Sequence, residues 1–285
     1  MIYKKINKCR SCDETKLVKL VSLGKQPLAN ALIKKKSDFK REIRVPLETV
    51  ICSKCKLVQL LHTVRPNILF KKYLWVTGTS QKVKKYRSLF FKNIQKYIRR
   101  RGNFICEIAS NDGFFLDYVK KENQVLGIDP ANNLAKIARA KKIETWTDFF
   151  NEKTSKKIIN IKKKKPNLVI CRNVIPHIEN IKSVMKGLKS LISNDGVGAI
   201  EFHNAKKILL DNHYDYIYHE HIFYFTLSSL NNILKKNGLF GFDYFKSPIS
   251  GGSYVIIFKT KKTTPTQKFL NIIKKEKKQK LDTVK

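Results

Sequence analysis

The sequence predicts an α/β protein, a doubly wound sheet covered by helices and preceded by a small metal-bound domain. Three observations carry this. Strand-like and helix-like segments alternate from residue 104 to residue 259, two Cys-x-x-Cys pairs stand near the N-terminus, and a turn of small residues followed by an acidic strand end opens the alternating region. At 285 residues the chain is long enough for about two domains. Hydrophobic residues make up 42% and aromatic residues 11%, which excludes wholesale disorder. No apolar run reaches the 18 or so residues of a membrane span, and the start, MIYKKINKCRSC, lacks the apolar core of a signal peptide. The expected location is the cytoplasm, without a membrane partner.

The Cys9-x-x-Cys12 and Cys52-x-x-Cys55 pairs are the sharpest chemical signal. Two such knuckles present four thiolates to one tetrahedral zinc, and in a reducing compartment thiols favour a metal over disulfides. Four sulfur ligands leave no open position for water or substrate, so the zinc is structural, worth on the order of 10 kcal/mol to folding of the module between the knuckles. Cys106 and Cys171 lie in the apolar runs FICEIA and NLVICR and read as core residues.

Lys and Arg number 59 against 22 Asp and Glu, a net charge of +37. Such a field attracts polyanions. Lysine, isoleucine and asparagine are abundant together, however, as AT-rich coding produces, and lysine far outnumbers the arginine that a phosphate-reading surface often uses. The basic runs 162–165 and 274–280 lack interleaved aromatics and read as a solvated loop and tail.

A basic amphipathic helix is expected over 81–99, with Val83, Tyr86, Phe90 and Ile94 at helical spacing, joining the two domains. Beyond it come strand 104–109, helix 115–121, strand 125–129, helix 131–141, strand 143–147, strand 168–172, helix 177–191, strand 197–202, helix 227–236 and strands 239–245 and 254–259. This alternation predicts a parallel sheet. The expected domains are residues 1–80, holding zinc and a substrate loop, residues 81–260, binding the cofactor, and a basic tail over 261–285 that is at most the start of a further domain.

The first strand ends in Glu107-Ile-Ala-Ser110-Asn111-Asp112-Gly113 and the second in Gly127-Ile-Asp129-Pro130. Both ends belong to the carboxyl edge of the sheet, where open α/β sheets bind ligands. With one glycine the turn lacks the pyrophosphate fingerprint of dehydrogenases. An acid at the second strand tip can accept from both hydroxyls of a ribose, while Glu107 and Asp112 can hold a cationic amino acid group. Those demands describe S-adenosylmethionine.

In order and context these residues resemble the S-adenosylmethionine-dependent nucleotide-sugar C-methyltransferases, over Cys9 to about Phe258. The resemblance is carried by Cys9-Arg-Ser-Cys12, Leu23-Gly-Lys-Gln-Pro27-Leu-Ala-Asn30, Pro46-Leu-Glu48, Cys52-Ser-Lys-Cys55, and Phe70-Lys-Lys-Tyr73 through Ser80. It continues in Glu107 to Gly113, Gly127 to Pro130, Asp148-Phe149-Phe150, Asn173 to His177, Glu201, Asp215 to His221 and Gly251-Gly252-Ser253. It implies a class I methyltransferase fold and a reaction at carbon, in which a base removes the proton next to the keto group of a nucleotide-linked deoxysugar and the enolate attacks the sulfonium methyl. By the same resemblance His221 is the base, Glu220 orients or neutralises it, and Tyr218 and Tyr73 hydrogen-bond the oxygen that becomes negative. The cofactor falls to Glu107, Ser110, Asn111, Asp112, Gly113, Asp129, Pro130, Asp148 and Phe149 by the adenine, and Asn173 and His177.

Plainer readings stand beside these. Asn173 and His177 can simply close a strand and start a helix, Phe149 and Phe150 can be core aromatics, and Glu201 can be structural. The chain also departs from the family: Trp75 stands where a tyrosine is common, His203 where a proline is usual, and the family continues into a third domain. The chain is then read either as a truncated or separately encoded part, with a partner chain as one source of that domain, or as an enzyme for another sugar-like substrate. The alternatives are an RNA methyltransferase, whose zinc module and basic surface would hold nucleic acid, and a non-catalytic zinc-bearing binding protein of the same fold.

Overall fold

A computed structural model describes residues 2–279. The chain opens with β1 (Tyr3–Lys5), β2 (Leu17–Pro27), β3 (Arg44–Cys52), β4 (Val58–Leu60) and β5 (His62–Val64), which pair antiparallel, β1 with β5 and β2 with β3 with β4. The first Cys-x-x-Cys turn precedes β2, and the second joins β3 to β4. A short α1 (Pro66–Phe70) leads through a 3-10 turn at Thr77–Thr79 to α2 (Gln81–Ile94). The Ser80 side chain caps α2 by accepting the Val83 N–H, and Val83, Tyr86, Phe90, Phe91 and Ile94 form its buried face.

Alternation then begins with β6 (Phe104–Ile108), α3 (Phe114–Val119), β7 (Gln124–Ile128), α4 (Asn132–Ala140), β8 (Thr145–Trp146), α5 (Glu152–Lys162) and β9 (Leu168–Arg172). It continues with α6 (Ile181–Leu191), β10 (Val197–His203), α7 (Ala205–Leu210), β11 (Phe223–Tyr224), α8 (Leu227–Lys236), β12 (Phe240–Ser247), β13 (Ser253–Lys259) and α9 (Gln267–Lys278). The main sheet has the order β12-β13-β10-β9-β6-β7-β8. Its five strands from β10 to β8 are parallel, and β6 is buried along its whole length, as strands covered on both faces are. From β6 the chain winds outward through β7 and β8, then returns to β9 and β10 on the other side. The switch point therefore lies between β6 and β9, and the crevice at their carboxyl ends is the ligand position of such sheets.

The wholly parallel sheet expected from the sequence is corrected by β13, which runs antiparallel between β10 and β12, while β12 at the edge shares the direction of the five parallel strands. Two further corrections concern helices. The helix expected from residue 177 starts at Ile181, because Asn180 caps it by accepting the Ser183 N–H at 3.1 Å, and Ile175–His177 form a separate 3-10 turn. The basic run 162–165 begins inside α5, a helix without a long apolar stripe. It packs on α6 through small groups, Ser155 Oγ donating to the Gly187 carbonyl at 2.9 Å and sharing a 2.7 Å hydrogen bond with Ser190.

The expected basic tail is in its described part the helix α9, docked on the sheet side. Phe269 is buried, and the buried Glu276 accepts the Leu227 and Ser228 N–H groups, capping α8 from outside. Residues 280–285 lie outside the described residues. No helix among the described residues is long and apolar enough to cross a membrane.

Two apolar layers sandwich the main sheet. One of them is continuous with the cysteine knuckles, since Cys9, Cys52 and Leu57 share a cluster with Ile222, Phe223 and Phe225. The joint between the modules is also hydrogen-bonded, because β11 pairs antiparallel with β4 and completes a four-stranded sheet of order β11-β4-β3-β2.

Candidate active site

The four cysteine sulfurs lie within 4.8 Å of one another. Cys9 and Cys55 sulfurs are 3.6 Å apart, and those of Cys12 and Cys52 3.5 Å. Zn–S bonds of about 2.3 Å at tetrahedral angles require nearly this spacing, so the donor set and its geometry fit a closed zinc site. Backbone N–H groups of Ser11 and Cys55 and the Gln59 amide point at the sulfurs, as they do around metal thiolates.

A cleft of about 1050 Å³ opens at the switch point. One wall is the β6 turn, where Ala109 and Asn111 take left-handed φ of 55°, and Gly113 takes 71°. This winding aims the Asn111 N–H at Asp129 Oδ2, 2.7 Å away, while Ala131 N–H donates to Oδ1 at 2.8 Å. Each oxygen keeps a lone pair, and burial pushes Asp129 up to about 6 against those two donors. The Asn111 side chain also fastens the loop before α2: Oδ1 accepts the Thr77 N–H at 2.9 Å, and Nδ2 donates to the Trp75 carbonyl at 3.0 Å. Asn133 does the same for Tyr73, donating to its carbonyl at 2.8 Å, a role that nothing in its sequence context distinguishes from an ordinary first-turn asparagine.

Of the expected cofactor residues, Asn111, Asp129, Pro130, Asp148, Phe149, Asn173 and His177 line the cleft. Glu107, Ser110, Asp112 and Gly113 do not. Glu107 is fully buried and accepts from Arg172 Nε at 3.0 Å; Asp112 accepts from Lys141 Nζ at 2.8 Å. Each carboxylate thus already holds a cation of this chain through one of its oxygens. Ser110 Oγ sits where a Gly127 Cβ would be only 2.4 Å away, and Gly113 packs on Ile143 and Ala138. These residues shape the turn. Glu107 Oε2, Ser110 Oγ and Asp112 Oδ1 are nonetheless buried without a hydrogen-bond partner, polar atoms left over at the base of the turn. Arg172, passed over in the sequence, lies between Glu107 and Glu201, whose Oε2 is 3.7 Å from its Nη1, and itself lines the cleft.

The opposite wall carries Tyr73, His177, Tyr218 and His221. His221 Nδ1 lies 2.9 Å from the Tyr216 carbonyl, which accepts only from N–H, so Nε2 bears the lone pair and receives the Tyr218 hydroxyl at 2.9 Å. Burial, with His177 and His203 nearby, holds His221 well below the usual imidazole range, and the ring is neutral at pH 7. His177 lies with its ring centre 4.9 Å away, is lowered by burial to about 4, and donates from Nδ1 to the Glu220 carbonyl. The Glu220 carboxylate turns away from His221, accepting from Asn30 Nδ2 at 2.5 Å and the Tyr73 hydroxyl at 3.4 Å. His219 faces the N-terminal module and donates from Nε2 to the Val45 carbonyl at 3.0 Å. Residues 218–221 form a turn, and His219 and His221 point to different neighbours.

Residues 82–240 match the family profile described as "Methyltransferase domain", more than half of the chain. The chain belongs to the methyltransferases. Residues 9–70 of this methyltransferase match the profile "Putative zinc binding domain", the stretch that holds all four clustered cysteines. Among curated proteins it is 31% identical over 257 residues to the C-methyltransferase NovU of Streptomyces niveus, covering 90% of this chain and 61% of that one. The methyltransferase thus spans less than two thirds of that relative's length. Solved structures that resemble it more loosely include the plantazolicin methyltransferase BpumL in complex with SAH, 16% identical, TM-score 0.48, over 65% of this chain and 87% of that one. Another is the magnesium protoporphyrin IX methyltransferase ChlM of Synechocystis with bound SAM, 15% identical, TM-score 0.44, over 64% and 79%. The strand order with its antiparallel β12–β13 pair is that of a class I methyltransferase.

Proposed function

We propose that this methyltransferase moves the methyl group of S-adenosylmethionine to a carbon next to the keto group of a nucleotide-linked deoxysugar. The observation that carries the reading is the His221–Tyr218 pair in the cleft that Asp129 lines: a neutral imidazole with its Nε2 lone pair directed at a phenol. Such a pair has no use in cofactor binding and suits proton removal from an acidic C–H.

The bound cofactor supplies an electrophilic methyl on a sulfonium. Asp129 accepts from the ribose hydroxyls with its two remaining lone pairs, and Asp148 and Phe149 flank the base. On the acceptor side, Tyr218 turns its hydroxyl onto the keto oxygen, which frees His221 Nε2 to take the proton from the neighbouring carbon. The Tyr216 carbonyl accepts from Nδ1–H throughout and stabilises the imidazolium that forms. Burial and the Glu220 carboxylate raise Tyr73 and keep its phenol neutral, so by turning its single O–H from Glu220 it becomes a second donor for the same oxygen. A cleft of about 1050 Å³ exceeds what a single cofactor of this size fills and leaves room for a sugar. The curated relative is itself named a C-methyltransferase.

Isothermal titration with S-adenosylhomocysteine, followed in the same cell by thymidine diphosphate, tests the two halves of the reading. Binding of both supports it. Binding of the first alone turns the acceptor toward RNA or toward a nucleotide held by a partner chain. Incubation of a 4-keto sugar nucleotide in heavy water with S-adenosylhomocysteine tests the base: deuterium is expected at the carbon next to the carbonyl, and its absence rejects His221 in that role.

A further inference from the structure

We propose that Gln59 is a positioning residue that ties the four-cysteine cluster to the segment carrying His221, so that metal occupancy sets the orientation of that histidine. The inference rests on His221 being the base, as proposed above.

Gln59 is completely buried and its amide has one possible orientation. Oε1 accepts twice from Arg10, from the backbone N at 3.2 Å and from Nη1 at 3.1 Å, which leaves Nε2 to donate to Cys9 Sγ at 3.2 Å. The backbone of the same residue is the register partner of Phe223, and the next residue, Leu60, donates its N–H to the Ile222 carbonyl at 2.8 Å. Arg10, between the first two cysteines, closes the loop by donating to the Leu60 carbonyl at 2.6 Å and placing its guanidinium 5.9 Å from the Phe223 ring centre. One side chain and one strand pairing therefore separate a metal-bound sulfur from residue 222, the immediate neighbour of His221.

The His221 segment is fastened on one side within the methyltransferase domain, by His177 Nδ1 on the Glu220 carbonyl and His221 Nδ1 on the Tyr216 carbonyl, and on the other side to the zinc module. Residues 218–221 are a turn, anchored by Ile222 N–H to the Pro176 carbonyl at 2.7 Å and by His219 to Val45, itself a residue of the zinc module. Zinc holds Cys9 Sγ as a thiolate, a strong acceptor that fixes the Gln59 amide. Without the metal, the Cys9 sulfur is no longer held in place and the Gln59 donor loses its fixed partner. The β4–β11 pairing is then free to shift, and His221 moves with it.

The test uses the full zinc-loaded chain with 15N-labelled histidine. His221 is expected to show a protonated Nδ1 and an unprotonated Nε2 that accepts from Tyr218. Stepwise chelation of zinc, and separately Gln59→Met in the zinc-loaded chain, are expected to move both signals. In zinc-loaded Gln59→Met the affinity for S-adenosylhomocysteine should stay unchanged, kcat should fall about 10- to 100-fold, and KM should hold. A general loss of folding would instead lower cofactor affinity together with activity. Should Gln59→Met not fold, chelation of the wild-type chain decides alone. His221 signals that stay fixed while the metal leaves overturn the proposal. The signals are read without acceptor, so a failure of the base assignment shows separately, as an active His221→Ala enzyme whose zinc still moves the Gln59 amide.

Discussion

Asp129 is held by the turn it faces. Its Oδ2 accepts the backbone N–H of Asn111 at 2.7 Å, within a turn whose Ala109 and Asn111 both take a left-handed φ of 55°. The strained turn and the acid at the second strand tip are thus one device: the left-handed turn at Asn111 holds the carboxylate proposed above for the ribose.

The pH dependence of cofactor binding follows from that device. Burial raises Asp129 to about 6, above the unfolded value near 3.9, so ionised Asp129 opposes folding above pH 6, and stability is gained as pH falls from about 6 to about 4. Binding runs the other way, because a protonated Asp129 has lost an acceptor. Affinity for S-adenosylhomocysteine should fall below pH 6 by up to about tenfold per pH unit, and Asp129→Asn at pH 7.5 should cost about 1.5–3 kcal/mol. Calorimetry across pH 5 to 8 decides; a flat profile removes Asp129 from the ribose.

His221→Ala should abolish methyl transfer by about 10²- to 10⁴-fold, the usual worth of a general base, with cofactor affinity nearly unchanged. The two residues have separate anchors: His221 is hydrogen-bonded to Tyr216 and Tyr218, and Asp129 to Asn111 and Ala131. Loss of cofactor binding in this variant would show that the histidine supports the fold of the cleft instead.

Cys52→Ser should leave the protein without its metal and lower the unfolding temperature. Cys52 is fully buried and shares an apolar cluster with Phe223 and Phe225, so its knuckle cannot open without disturbing the methyltransferase core. Metal analysis and scanning calorimetry read the two effects; a metal-free variant melting like the wild type would contradict a structural zinc.

Much of this was legible in the sequence, for physical reasons that differ by element. The helix at 227–236 was readable to the residue because Thr226 and Ser229 form a capping box before an apolar stripe. The strand at 168–172 was readable because strands covered on both faces are continuously apolar. The helix α5 was not, since it packs through Ser155 against Gly187 and Ser190, contacts that leave no hydrophobic period. At the site, Cys9, Cys12, Cys52 and Cys55 announce themselves by spacing, and Asp129 by its place at a strand end. The orientation of Glu107 and Asp112 was hidden, because their partners Arg172 and Lys141 are 65 and 29 residues away along the chain. So was the role of Asn30, which reaches Glu220 across 190 residues.

The last prediction concerns Arg172. Its guanidinium lies between two fully buried carboxylates, 3.0 Å from Glu107 and 3.7 Å from Glu201, with Phe115 against its face. One cation for two acids leaves the site short of positive charge, and burial raises both acids, Glu107 to about 7. Arg172→Met keeps the apolar stem but strands both carboxylates, and at pH 8 this should cost about 3–5 kcal/mol, as loss of one partner of a buried pair does. In the folded variant the acids rise further while their unfolded values stay near 4.3, so folding takes up protons and the deficit should shrink as pH falls from 8 toward 5. Adding Glu107→Gln should recover part of the loss at pH 8 and flatten the pH dependence. Denaturant unfolding of the three proteins at pH 5.5 and pH 8 measures this. A deficit independent of pH would mean that Arg172 stabilises the sheet edge through its packing on Phe115, and that the two acids are already neutral around it.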